Sequence, residues 1–109
     1  MKRNLHKTIL EHVDKSNIKH QCCAIIIHRN KILSIGINRF NYSYNKKYTI
    51  HAEENAISKI KNKTILKNCK MYLIKKTISN KIIDCNPCLN CFKILNKYKL
   101  NKIIIITQF

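Results

Sequence analysis

Two short segments carry residue types that can do chemistry together: His51-Ala52-Glu53 and Pro87-Cys88-Leu89-Asn90-Cys91. One imidazole nitrogen and two thiolates make three ligands for a zinc ion. Cys88 and Cys91 are three apart, so in a helical first turn both sulfurs project to one side, and Pro87 supplies the fixed φ that suits a helix start. Zinc prefers a tetrahedron of four, and three protein ligands leave the fourth place to water, the arrangement of a catalytic rather than a structural site. Zinc lowers the pKa of such a water toward about 7, giving a hydroxide nucleophile at neutral pH. Glu53 lies two residues past the histidine, where it can reach that water without ligating the metal, take its proton and return it to a substrate. Helix N-terminal dipoles favour the thiolate forms and any developing negative charge.

The 37 positions between His51 and Cys88 must be closed by the fold. Leu5, Ile9 and Val13 recur at four-residue spacing among Lys2, Lys7, Glu11, Asp14 and Lys15, which predicts an amphipathic helix over about 2–16. Residues 22–28 are an apolar, β-branched run, Arg29 to Lys31 is a polar break of hairpin length, and Ile32, Leu33, Ile35 and Ile37 make a second extended run ending near Gly36. Residues 39–50 have neither period and predict a loop, long for so small a chain and for that reason a candidate functional loop. From His51 a helical stripe runs through Ala52, Ala56, Ile57 and Ile60. Met71 to Ile74 predicts a strand, 76–86 a polar connection, 88–98 a helix carrying Phe92, Ile94, Leu95 and Tyr98, and Ile103 to Ile106 a strand so apolar that both its faces should be covered. The order αββαβαβ implies right-handed crossovers with helices packed on a sheet. In such crossovers helix N-termini gather at one sheet edge, so the two chemical segments can face each other.

HAE followed by PCxxC is similar to the signature of the zinc-dependent cytidine and deoxycytidylate deaminase superfamily, and the handful of positions it uses matches the general pattern for nucleobase deaminases. The likeness extends over about residues 20–107: SIGINRF (34–40) resembles the family's second strand ending in G-x-N, HAEENAI (51–57) resembles the deoxycytidylate-type branch, and NKYKLNKIIIIT (96–107) resembles the stretch leading into the fourth strand. The resemblance implies a three-layer α/β/α fold, with a mixed sheet of about four strands in the order 2-1-3-4 and helices on both faces, forming one domain over 1–109. It implies Zn²⁺ held by His51, Cys88 and Cys91, Glu53 as the catalytic proton shuttle, the Ala52 backbone N–H contacting the pyrimidine carbonyl, and Asn38 bonding sugar or base. Hydroxide would add to the carbon bearing the exocyclic amine, and ammonia would leave. Implied partners are a small-molecule nucleoside or nucleotide, with cytosine or adenine in nucleic acid as the alternative, and a second copy of the chain. A catalytically idle zinc-binding module is a further alternative, against which Glu53 argues. The chain ends soon after the fourth strand, and 39–50 lacks the Gly and Pro frequent in relatives, so the substrate is the least specified property.

Composition sets the bounds. With 109 residues, one domain with one shared core is expected. The longest apolar runs, Ala24 to Ile27 and Ile103 to Ile106, fall far short of the roughly 20 residues that cross a bilayer, and no apolar stretch follows the basic N-terminus, so no membrane partner and an intracellular, cytoplasmic location are expected. Six cysteines in such a compartment point to metal or chemistry rather than bridges. Cys85, Cys88 and Cys91 form a C-x2-C-x2-C run that also suits an iron–sulfur cluster, although a fourth cysteine at suitable spacing is lacking. Cys22, Cys23 and Cys69 read as core fillers, Glu54 as a solvated first-turn carboxylate, and His6, His12, His20 and His28 as surface or strand-end residues. The net charge of +17 comes from 22 Lys and Arg against 5 Asp and Glu. It is either a solvated surface shaped by coding bias, since Lys, Ile and Asn fill about half of the chain, or a field that attracts anions. Tyr42, Tyr44 and Tyr48 near Lys46 and Lys47 fit either a stacking surface or packing.

Overall fold

The computed structural model describes residues 20–43, 46–77, 81–83 and 88–106. Its first unit is a hairpin of β1 (His20–His28) and β2 (Lys31–Ile37), paired antiparallel from Cys23↔Ile37 to His28↔Lys31. The two-residue turn, Arg29-Asn30, has positive φ at both positions (51° and 63°), the conformation whose twist suits a tight hairpin. A register shift at Ile26/Ile27 leaves Leu33 unpaired and 40% exposed, which accounts for an apolar side chain at the surface of this strand.

Next comes a second hairpin, β3 (Arg39–Ser43) and β4 (Lys46–Ile50), which forms its own two-stranded sheet. This corrects the loop expected over 39–50. The segment holds β-formers such as Phe40, Tyr42, Tyr48, Thr49 and Ile50, and Phe40 and Tyr42 alternate with Arg39, Asn41 and Ser43, a short period-2 pattern that the loop reading passes over. Helix α1 (Ala52–Ser58) follows, then a 3₁₀ segment (Lys63–Asn68) whose start is closed by the Asn62 side chain accepting from the Thr64 N–H. The remaining elements are β5 (Lys70–Thr77), α2 (Leu89–Lys97) and β6 (Lys102–Ile105).

The main sheet runs β2-β1-β5-β6, the expected 2-1-3-4 order once only its own strands are numbered. β1 is antiparallel to both β2 and β5, and β5 is parallel to β6. Hence β2 and β5 point the same way, and the helices that follow them, α1 and α2, both begin beyond the same edge of the sheet. Central β1 and β5 are the strands with both faces covered: Ala24, Ile25 and Ile26 of β1 and Leu73 and Ile74 of β5 have no exposure. The same had been expected of Ile103 to Ile106, but β6 pairs with β5 alone among the described strands, and Ile104 is 37% exposed. β5 outruns the apolar Met71 to Ile74 because its polar end is also buried: Lys76, opposite Gln21, donates its ammonium to the Gln21 Oε1 at 2.7 Å.

Cys22, Ala24, Ile26, Met71 and Leu73 form one face of the sheet, on which α1 and α2 pack through Ala52, Ala56, Ile57 and Leu95. Cys23, Ile25, Ile27 and Ile74 are buried on the other face beside Ile35, Ile37 and Tyr72. Among the described residues no helix packs there, and the helix expected over 2–16 lies outside them. No helix of the described residues is long and apolar enough to cross a membrane.

Candidate metal centre

The first half of the centre is carried by α1 and located by β2. Gly36 has no room for a side chain: a Cβ there would collide with the backbone of Ala52 and Ala56, so only glycine lets the first turns of α1 lie directly on the strand. Three side-chain bonds then hold the helix in place. Ser34 Oγ donates to the Ala56 carbonyl at 2.6 Å, Asn55 Oδ1 accepts from the Ile37 N–H at 3.2 Å, and Lys59 Nζ donates to the Ile35 carbonyl at 2.7 Å. The last two also occupy backbone groups on an edge strand that would otherwise be open to pairing. His51 is the N-cap of α1; its carbonyl accepts from the Asn55 N–H at 2.9 Å, and its side chain makes no capping bond. The imidazole is therefore available for another task.

The second half is the start of α2. Cys88 is its N-cap, with extended backbone, its carbonyl accepting from the Phe92 N–H at 2.8 Å and its Sγ accepting from the Cys91 N–H at 3.4 Å. A sulfur at an N-cap does the work of the usual hydroxyl or carboxylate, and the helix dipole there favours negative charge on it. Cys91 is buried one turn further on. Pro87 and Cys85 lie outside the described residues.

These halves meet. His51 Nδ1 is 3.5 Å from Cys88 Sγ, and the ligand atoms of His51, Cys88 and Cys91 all lie within 4.8 Å of one another. A tetrahedron with zinc–sulfur bonds of about 2.3 Å and a zinc–nitrogen bond near 2.0–2.1 Å has sulfur–nitrogen edges of about 3.6 Å and a sulfur–sulfur edge of about 3.8 Å. The donor set, one imidazole and two thiols at that spacing, fits a zinc ion with one coordination position left for a fourth ligand. Burial pushes the Cys91 thiol well above its ordinary pKa, and the nearby Glu53 carboxylate pushes it further, followed by its contacts with Cys88 and the charge of Glu54. A cation seated among these groups would reverse that balance, because a coordinated thiol is deprotonated outright.

Glu53 is buried in the first turn of α1, while its neighbour Glu54 is exposed, as its reading as a solvated carboxylate requires. Glu53 is only 5% exposed, unusual for a carboxylate, and its charge acts on the Cys91 thiol. Ala52 is fully buried at the first helical position, where a backbone N–H has no carbonyl of its own helix to meet. Asn38 follows β2 and is engaged with β1 at both ends of its amide, Nδ2 donating to the His20 carbonyl and Oδ1 accepting from the Cys22 N–H, each at 2.7 Å. Those bonds tie the β2 exit to the start of β1. Cys22, Cys23 and Cys69 are buried, His20 is exposed at the start of β1, and His28 ends that strand. Reading the sequence picks out the three residues of this cluster but passes over Ser34, Asn55 and Lys59, which fasten the helix that carries His51 at its start. The available signal was Gly36, the single glycine of the chain, standing in a strand.

Comparison with known proteins agrees with this geometry. The solved structures it resembles include the deoxycytidylate (dCMP) deaminase of the cyanophage S-TIM5 in apo form (20% identity, TM-score 0.64, covering 95% of this chain and 80% of that one) and the same enzyme in complex with dCMP and dUMP (19%, 0.65, 95% and 79%). Cytidine deaminase from Mycobacterium tuberculosis is also similar (14%, 0.59, 97% and 85%). At these identities the likeness is one of fold. No curated protein matches the sequence. The model of the cytidine and deoxycytidylate deaminase zinc-binding region matches residues 1–107, nearly the whole chain, so the chain belongs to the cytidine and deoxycytidylate deaminase family.

Proposed function

We propose that this chain, one domain over 1–109, is a zinc-dependent hydrolytic deaminase of a cytosine-bearing nucleoside or nucleotide, with a deoxycytidylate-type substrate favoured. The observation that carries the reading is the approach of one ligand atom each of His51, Cys88 and Cys91 to within 4.8 Å of one another, with a buried glutamate two residues after the histidine. Family membership supports the reaction class. A neighbour of the same fold was solved with dCMP and dUMP, and a net charge of +17 suits a substrate bearing a phosphate.

His51, Cys88 and Cys91 would hold the zinc, which when bound supplies Lewis-acid chemistry that lets water act as a nucleophile near neutral pH. Glu53 takes a proton from the attacking water and delivers it to the pyrimidine ring nitrogen. The water oxygen bonds to the carbon bearing the amine, the proton left on that oxygen passes through Glu53 to the amine, and the carbon–nitrogen bond breaks. Ammonia leaves and a carbonyl takes its place, so cytosine becomes uracil with atoms in balance. The Ala52 N–H donates to the pyrimidine carbonyl and orients the ring. Asn38 contacts sugar or base in this reading; its amide already bonds β1 at both ends, and a substrate would share it with that strand.

The test is ammonia release from a panel of cytidine, CMP, dCMP and a cytosine-containing oligonucleotide, with metal analysis of the same preparations. Turnover of a free nucleoside or nucleotide with about one zinc per chain is the expected result. Glu53→Gln should retain the metal and lose roughly 10²- to 10⁴-fold in kcat. Turnover of the oligonucleotide alone would overturn the substrate assignment, and undiminished activity in Glu53→Gln would overturn the proton shuttle.

A further inference from the structure

At the end of α2 away from Cys88, the turn after Lys97 and the 3₁₀ segment enclose a hollow of about 300 Å³, lined by Lys63, Thr64, Lys67, Lys97, Tyr98 and Lys99. Four of the six are lysines and none is acidic. The described carboxylates, Glu53 and Glu54, stand at the start of α1. Two other hollows carry fewer cations, Arg29 and Lys70 in one and Lys59 in the other. At physiological ionic strength charges are screened over about 8 Å, so four lysines bordering one hollow raise the local concentration of anions there.

Helix capping does not account for these lysines. The N–H groups of Tyr98, Lys99 and Leu100 already donate to the carbonyls of Ile94, Asn96 and Leu95, which closes the end of α2 with backbone alone. Lys99 stands at φ 59°, the left-handed position after a helix that glycine fills most cheaply, so a lysine there is held against a local preference. Lys63 Nζ donates to the Ile60 carbonyl at 2.7 Å, and Lys97 Nζ lies 5.3 Å from the centre of the Tyr98 ring. Thr64 Oγ1 donates to Asn62 Oδ1 at 2.5 Å, leaving the ammonium groups as the donors to a guest.

We propose that this hollow is a binding site for phosphate oxyanions, carried by a free polyphosphate or by a nucleic-acid backbone, and separate from the metal centre. The nine residues of α2 put about 14 Å between its two ends, more than a screening length, so a phosphate here is not the phosphate of a substrate held at His51. Lysine ammoniums bind phosphate oxygens as point charges without fixed geometry, and the Tyr98 ring offers a face on which a base of a single strand can stack.

The experiment is calorimetric titration of the 109-residue chain with sodium tripolyphosphate and, separately, with a 15-nucleotide oligothymidylate, at about 50 and 200 mM salt. Saturable binding that weakens with salt is expected for at least one of them. The double variant Lys67→Gln/Lys97→Gln should weaken it about 10-fold or more, whereas Lys70→Gln/Lys102→Gln, which removes the same charge elsewhere, should change it less than about 2-fold. Lys99→Gly should weaken it about 3-fold while the melting temperature holds or rises, a pairing that a merely structural lysine would not give. Tighter binding of tripolyphosphate assigns the site to a free anion, and tighter binding of the oligonucleotide assigns it to a backbone. Absence of saturable binding to either probe, or equal losses in the two double variants, overturns the proposal.

Discussion

The N-termini of α1 and α2 bring their ligands to one place by different means. α1 is bound to β2 from outside: Gly36 admits it, and Ser34, Asn55 and Lys59 fasten it at 2.6–3.2 Å. α2 closes its own start, with the Cys88 sulfur accepting from the Cys91 N–H, and exposes Leu89 (70%) and Phe92 (50%) on its outer side. One half of the centre therefore takes its position from the sheet and the other from its own cap. The difference teaches that the imidazole and the buried acid are located before any metal arrives, while the sulfur pair gains most from coordination.

Breaking the junction itself should have the largest effect. Cys91→Ala removes one of three ligands, and metal content measured by plasma emission should fall from about one per chain to near zero, with activity lost along with it. The strand-bound half is the next to be tested. Gly36→Ala drives a methyl group into the α1 backbone, and about 3 kcal/mol of stability should be lost in denaturant melts, at the upper end of overpacking costs because backbone has nowhere to yield. Leu89→Ser on α2 should stay within about 0.5 kcal/mol in the same melts; a larger loss would mean that α2 is held by more than its cap. A smaller change, Ser34→Ala, deletes the bond to the Ala56 carbonyl and should cost about 1 kcal/mol, with weaker metal affinity but the same metal stoichiometry.

A last comparison separates two buried thiols. Burial pushes the Cys23 thiol, on the sheet face away from the metal centre, up to about 12, while the nearby Lys59 lowers it slightly. An unfolded cysteine ionises near 8.5, so the unfolded chain sheds that proton first. The stability is complete below about pH 8.5 and is lost as pH rises through the window toward 12, by up to about 1.4 kcal/mol per unit. Metal-free Cys23→Ala should show a flatter decline across that window in pH-dependent melts. Cys91, in contrast, must give up its proton to bind metal, so metal uptake should strengthen with rising pH in the wild type and in Cys23→Ala alike.

The candidate ligands stood out by motif spacing, a histidine at 51 and a cysteine pair at 88 and 91, whereas the 2-1-3-4 order of the main sheet was implied by the family resemblance and not by the apolar runs. The 39–43/46–50 ribbon was passed over because its alternation, Phe40 and Tyr42 then Tyr48 and Ile50, is only two residues deep on each strand and lies among polar neighbours. The polar end of β5 was not legible, since Lys76 is buried through a bond to Gln21 that no local pattern announces. The expectation that Ile103 to Ile106 is covered on both faces failed because four isoleucines say that a strand is apolar, not which strand takes the centre.

The amino-acid sequence alone determined which atoms can bind a metal and move a proton, because donor type and i,i+3 spacing are local properties that survive any fold consistent with them. Only the tertiary structure decided that His51 and Cys88, 37 positions apart, stand 3.5 Å from each other. That follows from β2 and β5 running parallel on either side of β1, and from one glycine whose missing side chain lets α1 lie against the strand.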